Sequence, residues 1–314
     1  MLTLADGGSA MGATISGAGT FTIANVTTWR GGMIQAGGLM TVSGAGTFNI
    51  AYGGTTLNRN ITIAGRLNWT SGTLATGPIT FTNTGMTTIS VSGGLTQPSG
   101  MATFNNSGLL TKTGYNTTSF TNANLRLNNT GTVHVSMGQL NVDGLNVAQI
   151  SGNTLTGGTW RMTEGGTLNL QDVTIKSNQA TLYLSGYGSA LPALWALEYN
   201  SGTVEITTGC QVQLTPGSGT LVNQGVTTLG AGAYVRIDGN LSMGGSSVLN
   251  VQIAGLSSGY FGFLDVRGNA YAGGRLVGRF VTSYTPPLNA GFVFVAAWGG
   301  GGSFSQTYAT GLSA

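Results

Sequence analysis

Charge is the scarcest feature of this sequence. Its 314 residues include 11 Lys or Arg and 8 Asp or Glu, 6% in all, where a globular domain usually carries about 25%. A disordered chain is normally rich in charge and poor in apolar residues; here 40% of residues are hydrophobic. Nucleic-acid binding needs clustered cations. Only Arg275 and Arg279 stand close together, so no nucleic-acid partner is expected. Cysteine occurs once, at Cys210. That excludes an intrachain disulfide and reads as a small buried hydrophobe. Long apolar runs are missing too. The longest, Phe292 to Trp298, is far below the ~20 residues of a membrane-spanning helix. Met1-Leu2-Thr3-Leu4-Ala5-Asp6 lacks the basic start and apolar stretch of a secretory signal, which suits a mature or recombinant fragment. Helical periodicity is almost absent. Only Ser189 to Glu198 reads as a short helix or a bulging apolar loop.

What is abundant is glycine and short alternation. With 55 Gly and 6 Pro, the chain stays below the ~25–30% that marks low complexity, and no collagen-like triplet runs through it. Short period-2 pieces such as Thr20-Phe21-Thr22-Ile23, Thr47-Phe48-Asn49-Ile50, Thr132-Val133-His134-Val135 and Tyr234-Val235-Arg236-Ile237 are bounded by Gly, Ser or Asn. They predict short strands. Phe81-Thr82-Asn83-Thr84-Gly85 returns as Phe104-Asn105-Asn106-Ser107-Gly108 and Leu127-Asn128-Asn129-Thr130-Gly131, each 23 residues on. Leu221-Val222-Asn223-Gln224-Gly225 is a later copy in another phase.

A period in the low twenties filled with short strands predicts one rung of a parallel β-solenoid, because a single rung cannot bury its own apolar face but a stack can. The expected fold is therefore all-β, a parallel β-solenoid over residues 1–248 with rungs of about 23 residues, then a C-terminal β module over 249–314 that caps or assembles. A string of sandwich domains would require longer strands and a longer repeat. Asn83, Asn106 and Asn129 should recur at one corner as a structural ladder, with amides bonded from rung to rung. There Asn tolerates a left-handed conformation, and the following Gly supplies a second bend.

From Leu249 the strands lengthen, through Phe261-Gly262-Phe263-Leu264-Asp265-Val266-Arg267-Gly268, Gly274-Arg275-Leu276-Val277, Pro286-Pro287, Gly291-Phe292-Val293-Phe294-Val295 and Gly302-Ser303-Phe304. This pattern resembles the module that closes bacterial secreted β-helix and autotransporter passenger proteins. Asn105 to Gly114 is similar to the Asn- and Lys-containing rungs of the same filamentous, adhesin-like surface proteins. The resemblance implies an exported, extracellular or surface-located protein; no membrane barrel follows in this sequence.

Candidate chemistry is sparse. No cofactor, metal or catalytic set is expected. His134 alternates with inward Val and should face solvent. No two acids stand within five residues of each other, so there is no calcium loop. Asp143, Arg161 and Glu164 lie near one period apart and would serve a polysaccharide-acting enzyme if they converged; the alternative is a surface ion pair. Thr-x-Thr pairs such as Thr20/Thr22, Thr80/Thr82 and Thr111/Thr113 have no spacing that places them in one ice-facing column. Tyr183, Tyr187, Trp195 and Tyr199 cluster around the non-repetitive stretch as a possible contact patch, for carbohydrate stacking or protein contact. The expectation is a non-enzymatic extracellular rod that pairs with itself head to tail into a fibre, or serves as an adhesin stalk, with surface or matrix polysaccharide as a further partner. The alternatives are a polysaccharide-acting β-helix enzyme and a phage-fibre-type binding protein.

Overall fold

Alternation decides the secondary structure. Where Phe, Ile, Leu or Val alternates with Thr, Asn or Ser, every second side chain is available for a shared interior, and β-branched residues suit the pleat. In the computed structural model, which describes residues 2–4, 8–10, 14–51, 54–96, 100–120, 124–281 and 284–311, the chain is a parallel β-solenoid of about 11 turns with rungs of about 23 residues, 57% strand and 2% helix. It divides into two compact units, Met1–Ile150 with Gly166–Asp172, and Ser151–Gly165 with Val173–Ala314. Residues from 249 onward belong to the second unit. Met1, Ala5 and Asp6 lie outside the described residues.

In the first unit three ladders of parallel strands enclose the core. One runs through Phe21–Ile23, the C-terminal part of Gly32–Val42, the same part of Thr55–Ile63, Thr80–Asn83, Ala102–Asn106 and Leu125–Asn129. Its innermost column is Phe21, Met40, Ile61, Phe81, Phe104 and Leu127, all buried. A second ladder runs through Val26–Trp29, Thr47–Ile50, Arg66–Trp69, Met86–Ile89, Leu109–Lys112 and Thr132–Val135. One of its inward columns reads Trp29, Ile50, Trp69, Ile89, Lys112, Val135. Lys112 is fully buried among these apolar neighbours; its Nζ donates to Thr113 O, Gly114 O and Asn116 Oδ1 at 2.6–2.8 Å. The third ladder ends in Thr117–Phe120, Gln139–Asp143 and Thr167–Gln171.

One outward feature differs from the sequence expectation. Thr22, Thr41, Thr62 and Thr82 do share one column, because the rungs at this end are shorter than 23 residues. Asn105 and Asn128 continue it, and the adjacent column contains Leu39 and Arg126, so no uniform Thr array forms. Leu2–Leu4 pairs in parallel along Phe21–Ile23.

The second unit repeats the plan. Thr159–Thr163, Thr181–Ser185, Thr203–Thr207, Val226–Leu229, Val248–Ile253, Arg275–Phe280 and Gln306–Thr310 form one ladder. Its inward column Met162, Leu184, Ile206, Leu229, Val251 is apolar throughout. The apolar stretch at 189–198 is a loop built on a single 3-10 turn, Pro192–Leu194. Leu191, Ala193, Leu194, Ala196 and Leu197 are buried, which anchors the loop, while Trp195 stays 54% exposed. Near the C-terminus the apolar run does not form one strand. Phe292 and Phe294 pack with Phe261 and Phe280 into an aromatic cluster, and the strand begins at Val295.

The asparagine corner works differently from the sequence reading. Asn83, Asn106 and Asn129 are the last, inward-facing residues of their strands, with none in the left-handed region. The glycine that follows is needed for close approach, not for a positive φ: a Cβ on Gly108 would lie 2.2 Å from Gly85 O. At each corner two successive N–H groups donate to one carbonyl of the preceding rung, as Ser107 N and Gly108 N do to Asn83 O at 2.9 and 3.0 Å. That double bond draws the rungs too close for any side chain.

Candidate ligand-binding face and end edge

The ladder residues are brought together. Asn83 Nδ2 donates to Asn106 Oδ1 at 2.7 Å, and Asn106 Nδ2 to Asn129 Oδ1 at 2.8 Å. The structure adds a ladder that the sequence pattern concealed: Asn178 Nδ2 donates to Asn200 Oδ1 at 2.8 Å, and Asn200 Nδ2 to Asn223 Oδ1 at 2.7 Å. These amides are buried and serve the fold.

The four aromatic candidates fall on three separate elements. Tyr183 lies in Thr181–Ser185 with the Arg161 guanidinium 4.1 Å above its ring, a stack worth roughly 0.5–1 kcal/mol when exposed. Tyr187 belongs to the loop before the 3-10 turn and Trp195 closes that turn at its C-terminal end, and Tyr199 lies in Tyr199–Asn200 on another ladder. Of the possible enzyme trio, Asp143 caps the turn Gly144–Asn146 by accepting from Leu145 N at 3.1 Å. Glu164 is exposed on a turn with φ 52°, and Arg161 is occupied by Tyr183. Cys210 is buried and its thiol is pushed up to about 11 by burial, consistent with an inert packing residue.

A connected polar arrangement lies elsewhere in the second unit, on strands Gln211–Leu214, Tyr234–Ile237 and Phe263–Ala272. Their inward residues Leu214, Val235, Ile237, Leu264 and Val266 are buried. Alternation therefore places Gln211, Tyr234 and Phe263 in one outward column and Gln213, Arg236 and Asp265 in the next. The Tyr234 and Phe263 rings stack at 6.1 Å. Asp238 accepts from Arg236 Nε at 2.6 Å, from Gln213 Nε2 at 2.5 Å and from Thr215 Oγ1 at 3.4 Å. Asp265 accepts from the Tyr234 hydroxyl and pairs with Arg267 at 2.8 Å. The Arg236 and Gln213 hydrogen bonds hold the Asp238 carboxyl below the usual carboxylate range. The Asp265 hydrogen bond raises Tyr234, keeping its hydroxyl protonated. A chain with 8 acids and 11 bases thus commits Arg236, Asp238, Asp265 and Arg267 to one compensated lattice.

Beside this lattice is a cleft of about 150 Å³, lined by Leu184, Ser189, Leu191, Trp195, Gln211 and Gln213 among others. Thr215 N donates to Trp195 O at 2.6 Å, so Thr215 ties the Trp195 loop to the Asp238 cluster.

The other notable surface is an edge. Among the described residues, Val295–Gly302 pairs only along Phe263–Ala272, and Gln306–Thr310 only along Arg275–Phe280. Trp298 is 81% exposed, and no charged residue follows Arg279. Among the described residues no helix is long and apolar enough to cross a membrane, and no group of three or more His, Cys, Asp or Glu is placed to hold a metal ion. No protein-family model matches the chain, and no curated protein or solved structure is similar enough to count as a relative.

Proposed function

We propose that this protein is a non-enzymatic structural β-solenoid that works outside the cell, pairing head to tail into a fibre or standing on a surface as an adhesin stalk. The observation that carries the reading is the uncharged edge formed by Val295–Gly302 and Gln306–Thr310, which pair on one side only among the described residues. An unpaired strand edge is a template for another strand, and natural proteins blunt such edges with Lys, Pro or bulges; this one has a register shift between Val266 and Asn269, but neither edge strand contains Lys or Pro, and both expose an aromatic ring, Trp298 and Tyr308. A contact between unlike ends is heterologous and propagates unless rotation closes it. The scarcity of charge leaves little repulsion between copies, and the likeness of residues 105–114 and 249 onward to bacterial secreted β-helix proteins supports an exported setting. Asp143, Arg161 and Glu164 each serve a turn or a ring stack, which favours a structural over an enzymatic reading.

The test is the double variant Trp298→Lys with Tyr308→Lys, both at exposed positions. Light scattering against concentration should show growth for the wild type and none for the variant. A wild type that stays monomeric at high concentration, or a variant that assembles equally well, ends the fibre reading.

A further inference from the structure

We infer that the outward face of strands Gln211–Leu214, Tyr234–Ile237 and Phe263–Ala272, with the Trp195 cleft at its margin, binds an uncharged polysaccharide. Three features of the face point to that class of ligand.

The first is the indole. Trp195 is 54% exposed although its neighbours Leu194, Ala196 and Leu197 are buried. The anchored loop thus holds a large apolar ring against water, where covering it is favourable. The C–H face of a sugar ring is flat and apolar and fits an indole, while the hydroxyls at its rim still need polar partners. The second feature supplies those partners. Gln211 and Gln213 line the cleft, and Gln213 also donates to Asp238, leaving its carbonyl oxygen as an acceptor. Arg236 spends Nε on Asp238, which leaves its terminal amino groups as donors. These groups are fixed by one another before any ligand arrives, which lowers the ordering cost of binding.

The third feature is charge balance, and it separates neutral from charged glycans. Arg236 is matched by Asp238, and Arg267 by Asp265. An acidic or basic polymer meets a face whose charges are already paired and gains no net attraction, whereas vicinal hydroxyls use the lone pairs and N–H groups left over. The outward columns also repeat from strand to strand at about 4.8 Å, close to the advance per sugar of an extended hexose chain. A polymer lying across the strands therefore meets a new pair of outward side chains at each step: Gln211 with Gln213, Tyr234 with Arg236, Phe263 with Asp265.

The experiment uses the full chain at a dilution where it is monomeric by sedimentation, so its outcome is independent of fibre formation. Trp29, Trp69 and Trp160 are buried, so in a Trp298→Phe background Trp195 is the exposed indole that emission follows. This protein is titrated with laminarin, mannan and xylan, and with polygalacturonate as the acidic comparison. The expected result is a saturable blue shift with at least one of the three neutral polymers and none with polygalacturonate. Gln213→Ala and Arg236→Ala should each weaken that binding by about tenfold, the weight of one hydrogen bond to the sugar, with each variant still folded by circular dichroism. The inference is overturned if no neutral polymer shifts the emission, if polygalacturonate alone does so, or if both variants bind like the parent. A shift that grows with protein concentration without sugar would also overturn it, since a second copy would then cover the face.

Discussion

The two asparagine ladders solve one problem in two ways. In the first unit Asn83 and Asn106 each donate twice into the following rung: Asn83 to Asn106 Oδ1 and Leu109 O, and Asn106 to Asn129 Oδ1 and Thr132 O. In the second unit Asn178 divides its donors between Asn200 Oδ1 and Ala180 O of its own corner. Asn223 ends on Gly225 O and Met243 Sδ at 3.5 and 3.7 Å. The starting points differ as well. Asn83 follows Ile63 in register, which offers no donor, and Asn83 Oδ1 is buried without a partner. Asn178 Oδ1 accepts from Ala180 N at 3.1 Å. The first ladder therefore ties rungs together more strongly along its length but begins on an unsatisfied acceptor, whereas the second closes its first acceptor and is more weakly tied beyond. Buried amides are high-stakes in either arrangement, because each lost partner leaves a desolvated group behind.

The sharpest way to break both ladders is to push the rungs apart. Gly108→Ala places a Cβ 2.2 Å from Gly85 O, and Gly225→Ala one 2.1 Å from Gly202 O. Each should cost roughly 3 kcal/mol, the upper end for overpacking, read as a fall in urea midpoint at unchanged slope. Equal losses would show that backbone approach, common to both units, sets the corner; a neutral Gly108→Ala would sink that idea.

Removing one amide separates the units. Asn106→Ala loses the bond from Asn83 and those to Asn129 and Thr132 O, and should cost about 3 kcal/mol at most. Asn200→Ala loses the bonds from Asn178 and to Asn223, and should cost about 2 kcal/mol. Urea titration of the two variants side by side decides whether the extra cross-rung bonds matter. A loss at Asn106 below about 0.3 kcal/mol, far under the usual cost of an orphaned buried amide, would mean a solvated corner.

A smaller effect distinguishes the interiors. Lys112 interrupts an apolar column in the first unit, whereas the Met162-to-Val251 column of the second has no titratable member. Burial pushes the Lys112 ammonium down to about 8 from its ordinary 10.5. The folded protein then releases that proton at lower pH than the unfolded chain. Stability should rise as pH climbs from about 8 to 10.5 and be flat below. Relative to Lys112→Met, the wild-type gain should be roughly 1 kcal/mol, because three acceptors favour the charged form and oppose burial. A thermal-melt series with no rise relative to the variant would contradict it.

The residues that made the fold readable also explain what was missed. Asn83, Asn106 and Asn129 fall on one strict spacing and each precedes Gly by two, so the inward amide and the close corner leave a common signature. The second ladder has unequal steps, and Asn178 is followed by Gln179-Ala180 without the glycine, so its first member carries no signal. The polar face was hidden for a related reason. Gln213 to Arg236 is one ordinary rung, but Arg236 to Asp265 is stretched by the loop near Tyr260. Outward residues also have no apolar constraint to betray their register. Thr22, Thr41, Thr62 and Thr82 escaped notice because short rungs broke the period while preserving the stack.

Negative-stain microscopy of the purified wild-type protein over a concentration series tests the central claim most directly. Head-to-tail pairing through the uncharged Val295–Gly302 and Gln306–Thr310 edge predicts filaments that lengthen with concentration. Separate particles of one size at every concentration would contradict it.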